Sequence, residues 1–407
     1  MHLIALEQAP TSLRGGQELN LLEICRDLAQ RGHQVTLLHE REGNLLDQYR
    51  EFCQHVIRIN SYGFDRRRLD DVLNFFPSLI QLGTIPVSQD SVIFSNVYHT
   101  VFWGYLLARY RQRPFVCYLQ VPPFDFNRQR LLGLKGVDRF IAVSHQTKQN
   151  WTNIGYEADK IDVVLNGTDT DQFQPVIDLG AVRSQWGIPQ HHKIISYAGR
   201  LDKDKGLETL ITAFALALKT HPHAHLLIAG KPLLHINPIN NRECPEECHK
   251  YERSLDNLVA DLGIQEQVKF LGHITNTEAL YQASDVTVVP SRWPDPCPRV
   301  VIEAMSCGTP VVASRMGGIP EVLTDEFDAQ LVEPDHPQAL ANTLSQVMMW
   351  RDHNPGLGQR CRNHILNRFS REKMVDGIER SLLQVLQPKE RQLVGAGLVE
   401  PANTRQS

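Results

Sequence analysis

Short apolar runs alternate with amphipathic segments along the first 165 residues of the chain. The opening run, His2 to Leu6, is followed by a loop and then by a segment whose apolar residues recur at helical spacing as far as Gly32. Further strand-like runs lie at Val35–Leu38, Ser91–Phe94, Phe115–Leu119, Phe140–Val143 and Ile161–Leu165. This order of elements predicts a parallel sheet covered by helices on both faces.

The same alternation starts again after residue 190. The predicted strands are Lys193–Ala198, His225–Ala229, Val268–Leu271, Val286–Val289 and Pro310–Ala313, and the predicted helices include Leu207–Thr220 and Val300–Cys307. The sequence therefore predicts a second α/β domain of the same kind, with a ligand in the cleft between the two.

The domain boundaries follow from the segments that lack this alternation. Proline and glycine interrupt Asp169–Pro189, and a last amphipathic helix is predicted at Arg371–Leu386. We expect an N-terminal domain at 1–172, a linker at 173–190 and a C-terminal domain at 191–370. The helix at 371–387 is expected to dock back on the first domain, before a flexible tail at 388–407.

Charge and composition exclude some partners. The 407 residues include 42 Lys and Arg against 46 Asp and Glu, a net charge of −4. Because duplex nucleic acid is bound by broadly cationic surfaces, no nucleic-acid partner is expected. No apolar stretch is long enough to span a membrane or to act as a secretory signal, and the eight cysteines are scattered as in reducing compartments. The expected location is the cytoplasm, with at most peripheral contact at the inner face of the membrane.

Two segments contain side chains that are candidates for binding a ligand. The first is the loop Gly199–Gly206 between a strand and a helix, in which Arg and Lys side chains are suited to hold a diphosphate without a metal, although such residues are often only solvated. The second contains Asp295 in a proline-rich loop and Glu303, eight positions later, which is expected in the first turn of the next helix. Both carboxylates could accept hydrogen bonds from sugar hydroxyls, or Glu303 could merely complement the helix dipole.

Four segments together resemble the retaining GT-B glycosyltransferases of family 4. They are Val163–Asp169, Gly199–Gly206, Pro290–Pro310 and Gly317–Glu321, in the order typical of that family. The resemblance extends over about residues 1–387. It implies an α/β fold of the GT-B class, in which two Rossmann-like doubly wound domains face an interdomain cleft.

The resemblance also implies roles for the residues that bind the donor. Arg200 and Lys205 would hold its diphosphate, and Gly15 and Gly16 would form an N-terminal glycine loop whose backbone N–H groups approach phosphate or sugar. Glu303 would bind the donor ribose.

The catalytic positions depart from the family pattern. Asp295, which would contact the donor sugar, stands where the family usually has Glu, and Pro298 offers no N–H to a sugar hydroxyl. Gln120 aligns with a family histidine and can still hydrogen-bond a leaving group, but it cannot titrate. His99, after another strand, could supply an imidazole instead or could be a structural histidine.

The function implied by the resemblance is a hexosyltransferase-type reaction without cofactor or metal. A sugar would pass from a nucleotide-diphosphate-sugar donor, with retention, to a hydroxyl of a glycan or lipid-linked acceptor, in cell-surface, exopolysaccharide or lipopolysaccharide biosynthesis. Two alternatives stay open: a catalytically inactive sugar-nucleotide-binding protein, and a nucleotide-sugar epimerase or hydrolase.

Two further clusters allow a functional or a neutral interpretation. Cys244, Cys248 and His249, with His235, could hold zinc, but their spacing fits no common zinc finger and a surface loop is favoured. The arginines at 66–68 and at 109, 111 and 113 could meet anionic lipid at a membrane or form a solvated face.

Overall fold

Seven parallel strands form the N-terminal sheet of the computed structural model, which describes residues 1–13, 15–65, 68–176, 178–232 and 245–387. The strands are β1 (His2–Glu7), β2 (Gln34–His39), β3 (His55–Arg58), β4 (Ser91–Ser95), β5 (Phe115–Leu119), β6 (Arg139–Ala142) and β7 (Ile161–Val163). The helices around them are α1 (Gly16–Gln30), α2 (Leu46–Arg50), α3 (Leu69–Gln81), α4 (Val101–Arg111), α5 (Arg128–Lys135) and α6 (His145–Asn153). The strand order is β3-β2-β1-β4-β5-β6-β7, so the order reverses between β1 and β4.

Six parallel strands form the C-terminal sheet. They are β8 (Lys193–Ala198), β9 (Ala224–Ala229), β10 (Val268–Gly272), β11 (Val286–Val289), β12 (Val311–Ser314) and β13 (Leu331–Val332). The remaining helices are α7 (Leu179–Ser184), α8 (Leu207–Ala217), α9 (Pro245–Asp261), α10 (Thr277–Ala283), α11 (Arg299–Ser306), α12 (Ile319–Val322), α13 (Pro337–Val347), α14 (Trp350–His353), α15 (Leu357–Arg368) and α16 (Arg371–Gln384). Short 3-10 turns lie at Tyr98–Thr100, Ala158–Lys160, Lys203–Lys205 and Asp325–Gln330. The strand order is β10-β9-β8-β11-β12-β13, with the reversal between β8 and β11.

The central strands are buried on both faces because helices cover each side. Leu3 and Ala5 of β1 belong to the cluster that includes α1, whereas Ile4 and Leu6 belong to the cluster that includes α4. This period of two places successive side chains on opposite faces of the sheet. The predicted fold class, two doubly wound α/β domains, is therefore confirmed.

Two strands lie outside the sequence prediction. β3 is a four-residue edge strand whose side chains are partly or fully exposed, and β13 has two residues. Neither is long or apolar enough to produce a recognisable period. Most other predicted strands agree with the structure to within one or two residues.

The chain passes twice between the domains, and the two passages lie side by side. Thr168 pairs with Ser370, with Thr168 donating its N–H to the Phe369 carbonyl and Arg371 donating to the Thr168 carbonyl. A Cβ on Gly167 would come within 2.4 Å of the Ser370 oxygen, so only glycine allows this approach.

Residues 173–190, expected to form a linker, contain α7 and pack against the C-terminal domain. Arg183 is buried there and forms an ion pair of 2.7 Å with Asp285. Val182 and Ile188 lie in one apolar cluster with Ile194 of β8. The six-residue helix α7 was not predicted, because proline and glycine content does not indicate a helix that is held by a distant ion pair.

The C-terminal helix α16 lies against α1 of the N-terminal domain. Arg31, at the end of α1, pairs with Asp376 at 2.7 Å and with Glu379 at 2.5 Å. The C-terminal tail from residue 388 lies outside the described residues.

Candidate functional site

The carboxyl ends of both sheets meet at the interface of the two domains. Asn166, after β7, donates its amide to the Cys297 carbonyl after β11 at 2.8 Å. The Glu321 carboxylate accepts the backbone N–H groups of His145 and Gln146, at the start of α6, at 2.8 and 2.7 Å. The reversal points of both sheets therefore open onto one cleft, where ligands of such folds bind.

The loop after β8 carries the two cations predicted to hold a diphosphate. Arg200 lies 3.3 Å from Asp202, and Lys205 lies 2.7 Å from Asp295. Burial raises the pKa of Asp202, although Arg200 and Lys205 act in the opposite direction. Both cations keep part of their surface in solvent, 38% for Arg200 and 23% for Lys205, so an entering anion can reach them.

Gly206 holds this loop against the loop after β11. Its φ of 68° is left-handed, and a Cβ there would lie 2.1 Å from the Pro290 carbonyl oxygen. Asp204 accepts the backbone N–H of Arg292 at 2.8 Å through its carbonyl. The cation-bearing loop and the acid-bearing loop are therefore a single packed unit.

Asp295 is positioned by the glycine pair that follows β12. Gly318 donates its N–H to the Asp295 carbonyl at 2.8 Å. A Cβ on Gly317, where φ is 59°, would lie 2.3 Å from that carbonyl oxygen. The Gly317–Glu321 segment thus supports the acid-bearing loop with its glycines and reaches the other domain with its glutamate.

Glu303 lies in the second turn of α11, not in the first turn as expected. The helix begins at Arg299 after Pro298, and its first turn contains no acid. Complementing the helix dipole therefore does not explain Glu303. Its carboxylate instead accepts a hydrogen bond from Arg299 Nε at 3.0 Å and one from the Tyr281 hydroxyl at 3.2 Å.

Arg299 connects this carboxylate to the N-terminal domain. Its guanidinium donates to both carboxylate oxygens of Glu23 and to Asn20 Oδ1, each at 2.8 Å. Burial opposes the charged form, but the carboxylates of Glu23 and Glu303 raise the pKa of Arg299 above its usual value. The residue is thus a buried cation shared by both domains.

The glycine loop lies at the start of α1, next to Arg299. Gly15 has a φ of 151° and open space where a Cβ would be, as expected for a position that a ligand could approach. At Gly16 a Cβ would lie 2.8 Å from Arg299 Cδ. The second glycine therefore makes room for a protein side chain.

Gln120 is buried in a polar network at the carboxyl edge of the N-terminal sheet. Its oxygen accepts a hydrogen bond from Asn20 at 3.0 Å, and its nitrogen donates to Asn96 Oδ1 at 2.6 Å. Asn96 donates to Glu7 at 2.5 Å, and Asn20 also donates to Asn166 at 3.1 Å. The structure brings Gln120 together with Arg299 through Asn20.

His99 lies in an aromatic cluster. Its ring centroid is 4.5 Å from that of Tyr98 and 6.0 Å from that of Phe124. Burial lowers the pKa of His99 to about 4, with a further contribution from Arg130. The imidazole is therefore neutral near pH 7.

Asn166, Glu321 and Arg299 are among the residues at the domain interface that received no role from the sequence. Asn166 and Glu321 belong to segments that carry the family resemblance, so a signal for them was present. The signal for Arg299 is its position four residues before Glu303 on one helix face.

Other sequence hypotheses fall partly on positions outside the described residues. These positions include His235 and Cys244 of the zinc hypothesis, and Arg66 and Arg67 of the first arginine cluster. Among the helices that are described, none has the length and apolar character needed to cross a bilayer.

Comparison with known proteins identifies relatives over most of the chain. Residues 180–364 match the family model "Glycosyl transferases group 1", and residues 14–172 match "Glycosyltransferase Family 4". The chain is 31% identical to a D-inositol 3-phosphate glycosyltransferase of Corynebacterium efficiens, over 90% of each protein. It is 32% identical to an uncharacterized glycosyltransferase of Methanocaldococcus jannaschii, over 83% of this chain and 86% of that one.

The fold is also that of a solved structure. Anabaena HepE, determined in complex with UDP and glucose, superposes with a TM-score of 0.78 at 22% identity, covering 94% of this chain and all of the other. At that identity the likeness concerns the fold. Together with the two family models and the relatives above 30% identity, it leads to one conclusion: the chain belongs to the family 4 glycosyltransferases and is an enzyme of the GT-B fold.

Proposed function

We propose that this enzyme transfers a sugar from a nucleoside diphosphate sugar to a hydroxyl acceptor, with retention at the anomeric carbon and without a metal. The observation that carries the proposal is the pair of accessible cations, Arg200 and Lys205, on a loop packed against the loop of Asp295. Anabaena HepE, which shares the fold, was determined with UDP and glucose, consistent with a donor of this class.

The geometry suggests how the donor would be held. A diphosphate would replace Asp202 and Asp295 as the partner of the two cations, because its charge is larger and its oxygens fit the guanidinium fork. Lys205 would then release the Asp295 carboxylate, which could accept hydrogen bonds from sugar hydroxyls. The cations would stabilise the charge that grows on the departing diphosphate, which is the largest expected contribution to the rate.

The leaving diphosphate would itself help to take the acceptor proton, so no protein base is required. This proposal agrees with the side chains at the two expected catalytic positions, since the Gln120 amide cannot take up a proton and the surroundings of His99 lower its pKa to about 4. Gln120 has its amide engaged by Asn20 and Asn96, and His99 is held among aromatic rings.

The test starts from the donor. Thermal shift with UDP-, GDP- and ADP-sugars identifies the donor that stabilises the folded protein. Release of nucleoside diphosphate in the presence of acceptor then shows transfer, and the anomeric coupling constant of the product in NMR shows retention or inversion. Binding without release would favour the inactive alternative, and release of free sugar or an epimerised donor without acceptor would favour the other one. Full activity in EDTA is expected.

The acceptor is proposed to be a glycan or lipid-linked sugar in cell-surface polysaccharide biosynthesis. The relatives named D-inositol 3-phosphate glycosyltransferases suggest an alternative acceptor, D-inositol 3-phosphate. Parallel assays with D-inositol 3-phosphate and with a lipid-linked sugar would decide between them. Transfer to inositol phosphate alone would exclude the polysaccharide role.

A peripheral membrane contact is proposed on the outer face of α3. Leu69, Leu73, Phe76 and Ile80 lie one above another on this helix, and each is more than half exposed. The segments 64–82 and 98–135 contain nine Lys and Arg against four Asp and Glu, in a chain of net charge −4. Exposed apolar side chains in a domain where two segments have this excess of Lys and Arg over Asp and Glu fit an anionic lipid surface.

Co-sedimentation with phosphatidylglycerol vesicles tests this contact. Phe76→Ser should reduce binding, whereas Leu366→Ser, a matched change of an exposed residue on α15, should not. Equal binding to phosphatidylcholine vesicles, or no loss with Phe76→Ser, would exclude the proposed contact.

A further inference from the structure

One guanidinium holds together the acid proposed for the donor ribose and the helix that begins with the glycine loop. Arg299 contacts Glu303 on its own helix at 3.0 Å and Glu23 and Asn20 on α1 at 2.8 Å. The contacts to α1 join residues 276 and 279 positions away in the sequence, on the other domain.

We infer that Arg299 is a positioning residue that aims Glu303 at the donor ribose and at the same time fastens α1, with its glycine loop, beside the same donor. The inference rests on the proposed function, since it requires that a nucleoside diphosphate sugar binds and that Glu303 contacts its ribose, as the family resemblance implies. It goes beyond that function because it makes ribose recognition in one domain depend on a residue that also anchors the other.

The orientation of Glu303 supports the first half of the inference. One carboxylate oxygen accepts from Arg299 and the other from the Tyr281 hydroxyl, so the group is held from two sides. Each carboxylate oxygen has a second lone-pair direction available for a hydroxyl group. A carboxylate fixed in this way can accept hydrogen bonds from a ribose without first losing rotational freedom.

The packing at Gly16 supports the second half. The aliphatic stem of Arg299 fills the place of a Cβ at Gly16, with Cδ at 2.8 Å. The guanidinium cannot move aside cheaply, because Glu23 holds two of its nitrogens and Glu303 the third. The start of α1 is therefore seated directly on the residue that orients the ribose acid.

The experiment compares ribose discrimination with turnover. The tightest binder among UDP, GDP and ADP and its 2′-deoxy counterpart are titrated calorimetrically, and kcat is measured at saturating donor. In the wild type, the 2′-deoxy compound should bind about 10-fold more weakly or worse, because a buried carboxylate loses a partner. Arg299→Lys keeps the positive charge but loses the planar guanidinium. It should reduce the ribose ratio, which is the dissociation constant of the 2′-deoxy compound divided by that of the ribose compound, to about 2-fold. It should also lower kcat about 10-fold or more.

Glu23→Gln separates the two halves of the inference. It should retain the ribose ratio of the wild type, because the contact between Arg299 and Glu303 stays intact. It should lower kcat about 10-fold, because α1 loses its charged partner in the other domain. Arg26→Gln is the matched control: it removes a charge from the same helix at a residue whose side chain binds Gln48, and it should behave as the wild type.

The outcomes are distinguishable. If none of the three nucleotides binds the wild type, the proposed function fails. If the wild type discriminates ribose and Arg299→Lys discriminates equally well, the proposed function stands and the inference is overturned. A kcat for Glu23→Gln equal to that of Arg26→Gln would overturn the link to α1. Glu23→Gln also keeps that link testable should Arg299→Lys fail to fold, as judged by circular dichroism.

Discussion

Removing the positive charge of Lys205 is the most direct test of the donor site. Its Nζ lies 2.7 Å from Asp295 Oδ2, and its side chain is only 23% exposed, so solvent screens it incompletely. In Lys205→Ala the growing charge on the leaving diphosphate loses one of two cationic partners. Loss of one such preorganised group costs about 2.7 to 4 kcal/mol, or about 100- to 1,000-fold in kcat.

The matched control lies two residues earlier in the same turn. Lys203 is exposed, carries the same charge and lies outside the contact with Asp295. Lys203→Ala should therefore keep kcat within about 3-fold of the wild type, since exposed charges contribute little. The assay is nucleoside diphosphate release under saturating donor, with circular dichroism to confirm folding. A Lys205→Ala enzyme within about 5-fold of the wild type, or an equal loss in Lys203→Ala, would refute the assignment.

Two further predictions concern stability. Asp285, 1% exposed, pairs with Arg183 at 2.7 Å and Arg351 at 3.1 Å. Asp285→Asn should lower the free energy of unfolding by about 3 to 5 kcal/mol in urea titrations, because it leaves a buried arginine without a counter-ion. The control is Asp352→Asn, which breaks a surface pair with Lys193 and should lower the free energy of unfolding by less than about 1 kcal/mol. Burial lowers the pKa of His99 to about 4, so as the pH falls from about 6.5 to 4 the unfolded chain binds the proton first and stability declines. His99→Gln should remove up to about 3 kcal/mol of that decline, and equal acid sensitivity in both proteins would show that the surroundings of His99 do not lower its pKa in the folded protein.

Local sequence patterns account for most of the fold. Apolar runs such as Lys193–Ala198 and Val286–Val289 have the same bounds in the structure as in the prediction. Parallel strands bring the following loops to one edge, so the sequence places Arg200, Lys205 and Asp295 in one region without any long-range information.

The elements that the sequence did not predict are those whose local pattern of residues is short or interrupted. β3 and β13 are short, and α7 is a six-residue helix in a segment rich in proline and glycine. The start of α11 lies one residue earlier than predicted, which places Glu303 beyond the first turn and removes the alternative in which it only complements the helix dipole.

The order of apolar and polar residues along this chain thus determined two parallel sheets, their helices and the loops that bear the candidate ligands, because side-chain period and strand direction are local properties. Only the tertiary structure decided which side chains meet across the cleft. The contacts from Arg299 to Glu23, from Asn166 to Cys297 and from His145 to Glu321 join residues 276, 131 and 176 positions apart. Pairs at such separations leave no period in the sequence, since they depend on how the two finished domains pack against each other.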